Sequence, residues 1–71
     1  MATKQEVLES IRTHSKEIKV ALATMDLAIH SLVVGSRVEA PGEIDSYKGL
    51  TDHIKDHVVA MKTELGQWPS L

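Results

Sequence analysis

Apolar residues recur along the first half of the chain at alternating spacings of three and four residues. The positions on this stripe are Leu8, Ile11, Ser15, Ile18, Leu22, Met25, Ile29 and Leu32. Such spacing keeps side chains on one side of an α-helix. Thr3 with Glu6 is typical of a helix start, and Gly35 of a helix end. The pattern predicts a helix over residues 4–34.

The second half of the chain repeats the same spacing. Its stripe consists of Ile44, Tyr47, Thr51, Ile54, Val58, Met61, Leu65 and Trp68. Pro41 suits a helix start, and Gly66 with Pro69 suits a helix end. We expect a helix over residues 42–66 and a short tail over 67–71. Gly49 weakens the first turns by about 1 kcal/mol relative to alanine, so a shorter helix beginning near Thr51 is the alternative.

The connection over residues 35–41 is short, which makes neighbouring helices antiparallel. The sequence therefore predicts an all-α fold, a single antiparallel helical hairpin. Folding the chain about its middle pairs Leu22 with Ile54 and brings His14 close to Glu64.

The first helix has more apolar surface than one partner helix covers. Side chains off the stripe or beside it are Val20, Leu27, Val34, Ala21 and Ala28. Leaving each large one in water forfeits roughly 1.5–3 kcal/mol. We therefore expect these residues to form the interface of a homodimer, a four-helix bundle whose layout resembles that of ROP-type hairpin dimers. A monomer with an apolar helix end is the alternative.

Composition narrows the function classes. The 71 residues contain no cysteine, which excludes disulfides and cysteine-based zinc sites, and the net charge of −2 gives no overall case for nucleic acid or membrane. The most apolar run, residues 20–34, contains Asp26 and His30 and is shorter than the roughly 20 residues that span a membrane. With no signal pattern at the N-terminus, we expect a soluble, cytoplasmic protein.

Two histidines, His53 and His57, lie four residues apart and share a helix face, as do helical zinc ligands. Asp52 and Asp56 project elsewhere, so a third ligand would have to come from a dimer mate. The expectation is accordingly no metal and no cofactor, with a metal- or small-ligand-binding bundle as the weaker alternative. No nucleophile, phosphate loop or acid–base set is recognisable, so we expect no enzymatic activity.

Two surfaces are candidates for partner binding. The loop presents Arg37 and Val38, and loops often carry function. A basic edge is predicted from residues beside the stripes, namely Arg12, Lys19, Lys55 and Lys62, together with Lys48. We expect a small regulatory protein, of the size of bacterial or phage inhibitors, that binds and modulates a partner protein. An RNA-binding hairpin dimer using the basic edge is the alternative.

Overall fold

The chain forms two long antiparallel helices joined by a short turn. A computed structural model describes residues 2–71, with helix α1 over Lys4–Val33, helix α2 over Glu43–Gly66 and a 3₁₀ helix over Trp68–Ser70. Both predicted helices are confirmed, with ends within about one residue of expectation. The shorter second helix is not formed, because Gly49 continues α2 without interruption.

Helix α1 begins at the predicted cap. The side chain of Thr3 accepts a hydrogen bond from the backbone N–H of Glu6 at 3.1 Å, and its hydroxyl donates to the Glu6 carboxylate at 3.2 Å. Val7 N–H donates to the Thr3 carbonyl at 3.1 Å. The bond to the Thr3 hydroxyl satisfies the Glu6 amide, which has no backbone partner within the first turn of the helix.

Helix α1 ends in a Schellman motif. The N–H of Gly35 donates to the Leu32 carbonyl at 3.2 Å, and that of Ser36 donates to the Ser31 carbonyl at 3.0 Å. Gly35 has a φ of 75°, a left-handed conformation that favours glycine. The predicted role of Gly35 is thus confirmed. Gly42, with a φ of 79°, makes the second sharp change of direction, immediately before α2.

The two helices contact each other along faces that are rotated from the predicted stripes. On α1, Val7 and Ala21 are the most buried residues, at 4% and 6% exposure. Leu8 and Leu22, which the stripe pattern placed in the contact, remain about half exposed. Small side chains such as Ala21 let two helices approach closely, so the hairpin closes on the small-residue side of the α1 stripe and on the side of the α2 stripe that carries His57 and Glu64. The larger residues stay on the adjacent side.

The hairpin has little interior of its own. Val7 and Ala21 are the buried residues among 2–71, and no large side chain there is fully enclosed. The shape is a rod with extents of 50 × 16 × 13 Å. Most of each apolar stripe is therefore covered on one side only.

The chain ends close to its beginning. Ser70 N–H donates to the Gln67 carbonyl at 2.9 Å, so the predicted tail forms a 3₁₀ turn. The ammonium of Lys4 lies 5.6 Å from the centre of the Trp68 ring, which is a cation–π geometry. This contact ties the start of α1 to the end of the chain.

Within residues 2–71, no helix combines the length and apolar character needed to cross a bilayer.

Candidate functional site

The two long sides of the hairpin differ in chemistry. We call one the histidine edge, defined by Ser10, His14, Glu17, His53, His57 and Glu64. The opposite side is the open face, defined by Leu8, Leu22, Ile29, Ile44, Val58 and Leu65. Both sides run along the groove between α1 and α2, so each combines residues from both helices.

His57 lies at the centre of the histidine edge. Its Nδ1 is 2.6 Å from Nδ1 of His14, and its Nε2 is 3.1 Å from Nε2 of His53. The His53 and His57 rings meet edge-on, at 88° and 4.5 Å between centroids. Each nitrogen pair requires one protonated and one unprotonated nitrogen to be attractive. Which nitrogen of one ring carries the proton therefore determines which nitrogen of the next ring must carry its proton.

A carboxylate lies beside His14, at one end of the row of three histidines. Glu64 Oε1 lies 3.7 Å from Nε2 of His14 and accepts a hydrogen bond from the Ser10 hydroxyl at 2.7 Å. The predicted proximity of His14 and Glu64 is confirmed. The other oxygen, Glu64 Oε2, is buried and has no protein hydrogen-bond partner.

A second carboxylate, that of Glu17 on α1, lies near His53 and His57. Glu17, His53 and His57 each offer one ligand atom, and these atoms all lie within 4.8 Å of one another. Sequence reasoning missed Glu17 and expected any third ligand to come from a dimer mate, whereas the fold places Glu17 of the same chain beside the two histidines. The available signal was spacing, because Glu17 follows His14 by one helical turn on the side that faces α2.

The loop is closed by a group of hydrogen bonds around Arg37. Its guanidinium donates twice to the Glu43 carboxylate, at 2.6 Å each. It also donates to the Ser31 hydroxyl at 2.5 Å and to the Ala28 carbonyl at 2.9 Å. The Tyr47 hydroxyl donates to the same Glu43 carboxylate. Paired N–H···O bonds of this type combine strength with fixed geometry.

This arrangement changes the expected role of the loop. The hydrogen bond from Arg37, followed by that from the Ala40 N–H, lowers the pKa of Glu43 to about 2, and the carboxylate in turn raises the pKa of Arg37. The donors of Arg37 are thus engaged within the chain. Val38 is 82% exposed and the Arg37 side chain is 36% exposed, so of the two predicted loop contacts Val38 is the more accessible to a partner.

Cations line both margins of the open face. Lys19 lies one turn from Leu22 on α1, and Lys62 lies one turn from both Val58 and Leu65 on α2. The full set is Arg12 and Lys19 on one margin and Lys48, Lys55 and Lys62 on the other, all exposed. Across residues 2–71, the salt bridge found in this set joins Lys48 to Asp45 at 3.8 Å. The predicted basic edge is therefore split into two margins within one chain.

The predicted dimer residues are also separated. Val20, Leu27 and Val34 are well exposed, at positions on the side of α1 away from α2. Ala21 is buried inside the hairpin and Ala28 is half-buried, so both help to pack α1 against α2. This corrects their expected place in an outer interface. A second copy can reach the first three residues, but not Ala21.

The fold defines a class, the two-helix antiparallel hairpin, with no strand among residues 2–71. Comparisons with protein families, curated proteins and solved structures find no match to the chain. A functional interpretation accordingly rests on its own residues.

Proposed function

We propose that this chain is a small, non-enzymatic interaction protein that assembles as a homodimeric four-helix bundle and binds an acidic surface of a partner protein. The observation that carries the proposal is the open face. Three large aliphatic side chains of each helix lie there about half exposed. Contiguous apolar surface of this kind marks an interaction site.

The exposed area supports a second copy as the occupant of the open face. The chain exposes 5383 Å², whereas a compact monomer of its 7.8 kDa mass would expose about 4400 Å². The excess of about 1000 Å² is comparable to the roughly 800 Å² that each partner loses in a typical stable interface. A hairpin of the same length covers the whole face, because its own stripe has the same spacing.

Such a dimer would reunite the two basic margins. If α1 of each copy packs antiparallel against α2 of the other, Arg12 and Lys19 of one copy lie beside Lys62 and Lys55 of the other. Each side of the bundle then carries a basic strip built from two chains. Like charges at this spacing cost a few tenths of a kcal/mol per pair. An acidic partner surface would offset that cost.

A depression in the open face supports a binding role rather than a catalytic one. It is lined by Leu22, Ala23, Met25, Asp26 and Ile29, and Asp26 is its only charged residue. Apolar grooves of this kind suit side chains of a packed helix.

Two matched leucine variants of α1 test the dimer. Leu22 lies on the open face, and Leu27 lies on the outer side at 75% exposure. We expect Leu22→Glu to convert the dimer to monomer in sedimentation velocity, whereas Leu27→Glu leaves its mass unchanged. A wild-type protein that sediments as a monomer at high micromolar concentration would refute the proposal. Dissociation by Leu27→Glu alone would move the interface to Val20, Leu27 and Val34.

Two matched lysine variants test the basic strip. Lys55 belongs to a margin of the open face, and Lys16 is an exposed lysine of α1 outside both margins. With a glutamate-rich peptide as the probe, Lys55→Glu should weaken binding and Lys16→Glu should not. Binding of total RNA in a gel shift at low salt, lost in Lys55→Glu and steeply dependent on salt, would instead favour the RNA alternative. Equal affinity of all variants for the peptide would refute the strip.

A further inference from the structure

We propose that the histidine edge binds one divalent transition-metal ion per chain, with zinc the expected ion. The ligands are Nε2 of His53, Nε2 of His57 and a carboxylate oxygen of Glu17. The fourth position is left to water. The site joins α1 to α2 within one chain and is separate from the open face.

The spacing of the two imidazole nitrogens fits a tetrahedral ion. At Zn–N distances of 2.0–2.1 Å, two tetrahedral ligands stand roughly 3.4 Å apart. Nε2 of His53 and Nε2 of His57 are 3.1 Å apart, close to this separation. Glu17 and His53 are exposed, and the ligand atoms of the group lie within 4.8 Å of one another. A rotamer adjustment of the long Glu17 side chain closes the remaining gap.

The protons of the neighbouring rings are also compatible with metal at this position. An ion on Nε2 of His57 requires the proton of that ring on Nδ1, which faces Nδ1 of His14 at 2.6 Å. His14 then carries its own proton on Nε2, directed toward Glu64 Oε1 at 3.7 Å. The Ser10 hydroxyl donates to the same oxygen at 2.7 Å. Metal-bound histidines typically donate their second N–H in this way, which orients the ring.

The donor set indicates the class of ion. Two imidazole nitrogens and one carboxylate suit zinc, cobalt, nickel or copper, whereas magnesium and calcium prefer oxygen ligands. The competing explanation is that N–H···N bonds link the three imidazoles without an ion. The two explanations differ in one respect: Glu17 has a role in the metal site and none in the bonds between the rings.

The test uses the full chain without a histidine tag, after treatment with chelator, titrated with Zn²⁺ by calorimetry. We expect one ion per chain and a rise of the thermal midpoint. His53→Asn and Glu17→Gln should each weaken binding by about tenfold or more. Both side chains are exposed, so circular dichroism should show unchanged helix content. Co²⁺ should give the intense visible absorption of a four-coordinate site in the wild type and lose it in both variants.

Matched controls are His30→Asn and Glu9→Gln, which remove an exposed histidine and an exposed glutamate of α1 outside the site. Both should bind Zn²⁺ as the wild type does. The proposal is overturned if the wild type takes up no Zn²⁺, if Glu17→Gln binds as tightly as wild type, or if His30→Asn loses as much affinity as His53→Asn. In the first case the three imidazoles are joined by hydrogen bonds alone.

Discussion

The histidine edge and the open face are two sides of the same groove, yet they are built in opposite ways. On the histidine edge, polar side chains from both helices meet one another at hydrogen-bonding distances, as His14 does with His57. On the open face, large aliphatic side chains from both helices stand side by side and half exposed. The rotation of both helices toward their small or polar flank produces this difference.

The two sides contribute differently to the structure: one determines how the two helices align, and the other provides apolar surface whose burial stabilises assembly. A typical hydrogen bond adds only about 0.5–1.5 kcal/mol to stability, but its geometry permits few alternative registers. Apolar area contributes roughly 25 cal/mol per Å² wherever it is covered, and it does not select a register. The histidine edge therefore fixes how α1 and α2 align. The open face carries the apolar area whose burial would stabilise an assembly.

The largest expected effect is on the open face. If a second copy covers it, Leu22→Ala removes a packed side chain and should lower the free energy of unfolding by about 2–4 kcal/mol. Leu27→Ala, on the outer side, should change it by less than about 0.5 kcal/mol. Urea denaturation at one fixed protein concentration measures both. Similar small losses for the two variants would mean that the open face stays in water.

A smaller effect is expected where the helices touch. Ala21→Leu introduces a large side chain at a position that is 6% exposed, and overpacking of this type costs about 1–3 kcal/mol. Thr24→Leu, at an exposed position three residues away, is the control and should be nearly neutral. Thermal denaturation followed by circular dichroism distinguishes them. A stabilising Ala21→Leu would show that the two helices are not in close contact there.

The third prediction concerns acid. The pKa of Glu43 is lowered from 4.5 to about 2 by Arg37 and the Ala40 N–H. Because the folded pKa lies below the unfolded one, this contribution to stability is complete above pH 4.5 and is lost as the pH falls toward 2. The wild-type thermal midpoint should therefore fall more steeply over this window than that of Glu43→Gln. Parallel curves would indicate that the carboxylate is not held by Arg37 in solution.

The smallest expected effect separates the two loop residues. Arg37→Ala should lower the thermal midpoint because it breaks bonds to Ser31 and Glu43. Val38→Ala should leave the midpoint unchanged, since Val38 is exposed. Equal thermal midpoints for both variants would indicate that the hydrogen bonds of Arg37 do not stabilise the fold and that its side chain is free to contact a partner.

Much of the fold was predictable from the sequence, because helix periodicity and the cap residues Thr3 and Gly35 are local signals. The rotation of the helices was not predictable in the same way. Stripes with three-four spacing look alike whether they close a hairpin or fill a larger bundle, so Leu22 and Ala21 could not be assigned to different sides. That choice depends on how closely the two backbones approach.

The candidate metal site was only half predictable. His53 and His57 lie on one helix, and their four-residue spacing is recognisable in the sequence. Glu17 lies 36 residues before His53, and only the alignment of α1 with α2 brings the two together. The bonds of Arg37 depend similarly on the loop path, which Gly35 and Gly42 set through their positive φ values.

The single tight turn also has a consequence for how the chain reaches this structure. Contacts across the hairpin close progressively longer segments, from a sequence separation of six for Arg37 and Glu43 to 43 for His14 and His57 and 54 for Ser10 and Glu64. Each new contact adds little to the loop already closed, so its entropic cost is small. We expect folding to start at the turn and to proceed as a zipper toward the termini, with Trp68 the last side chain to come to rest.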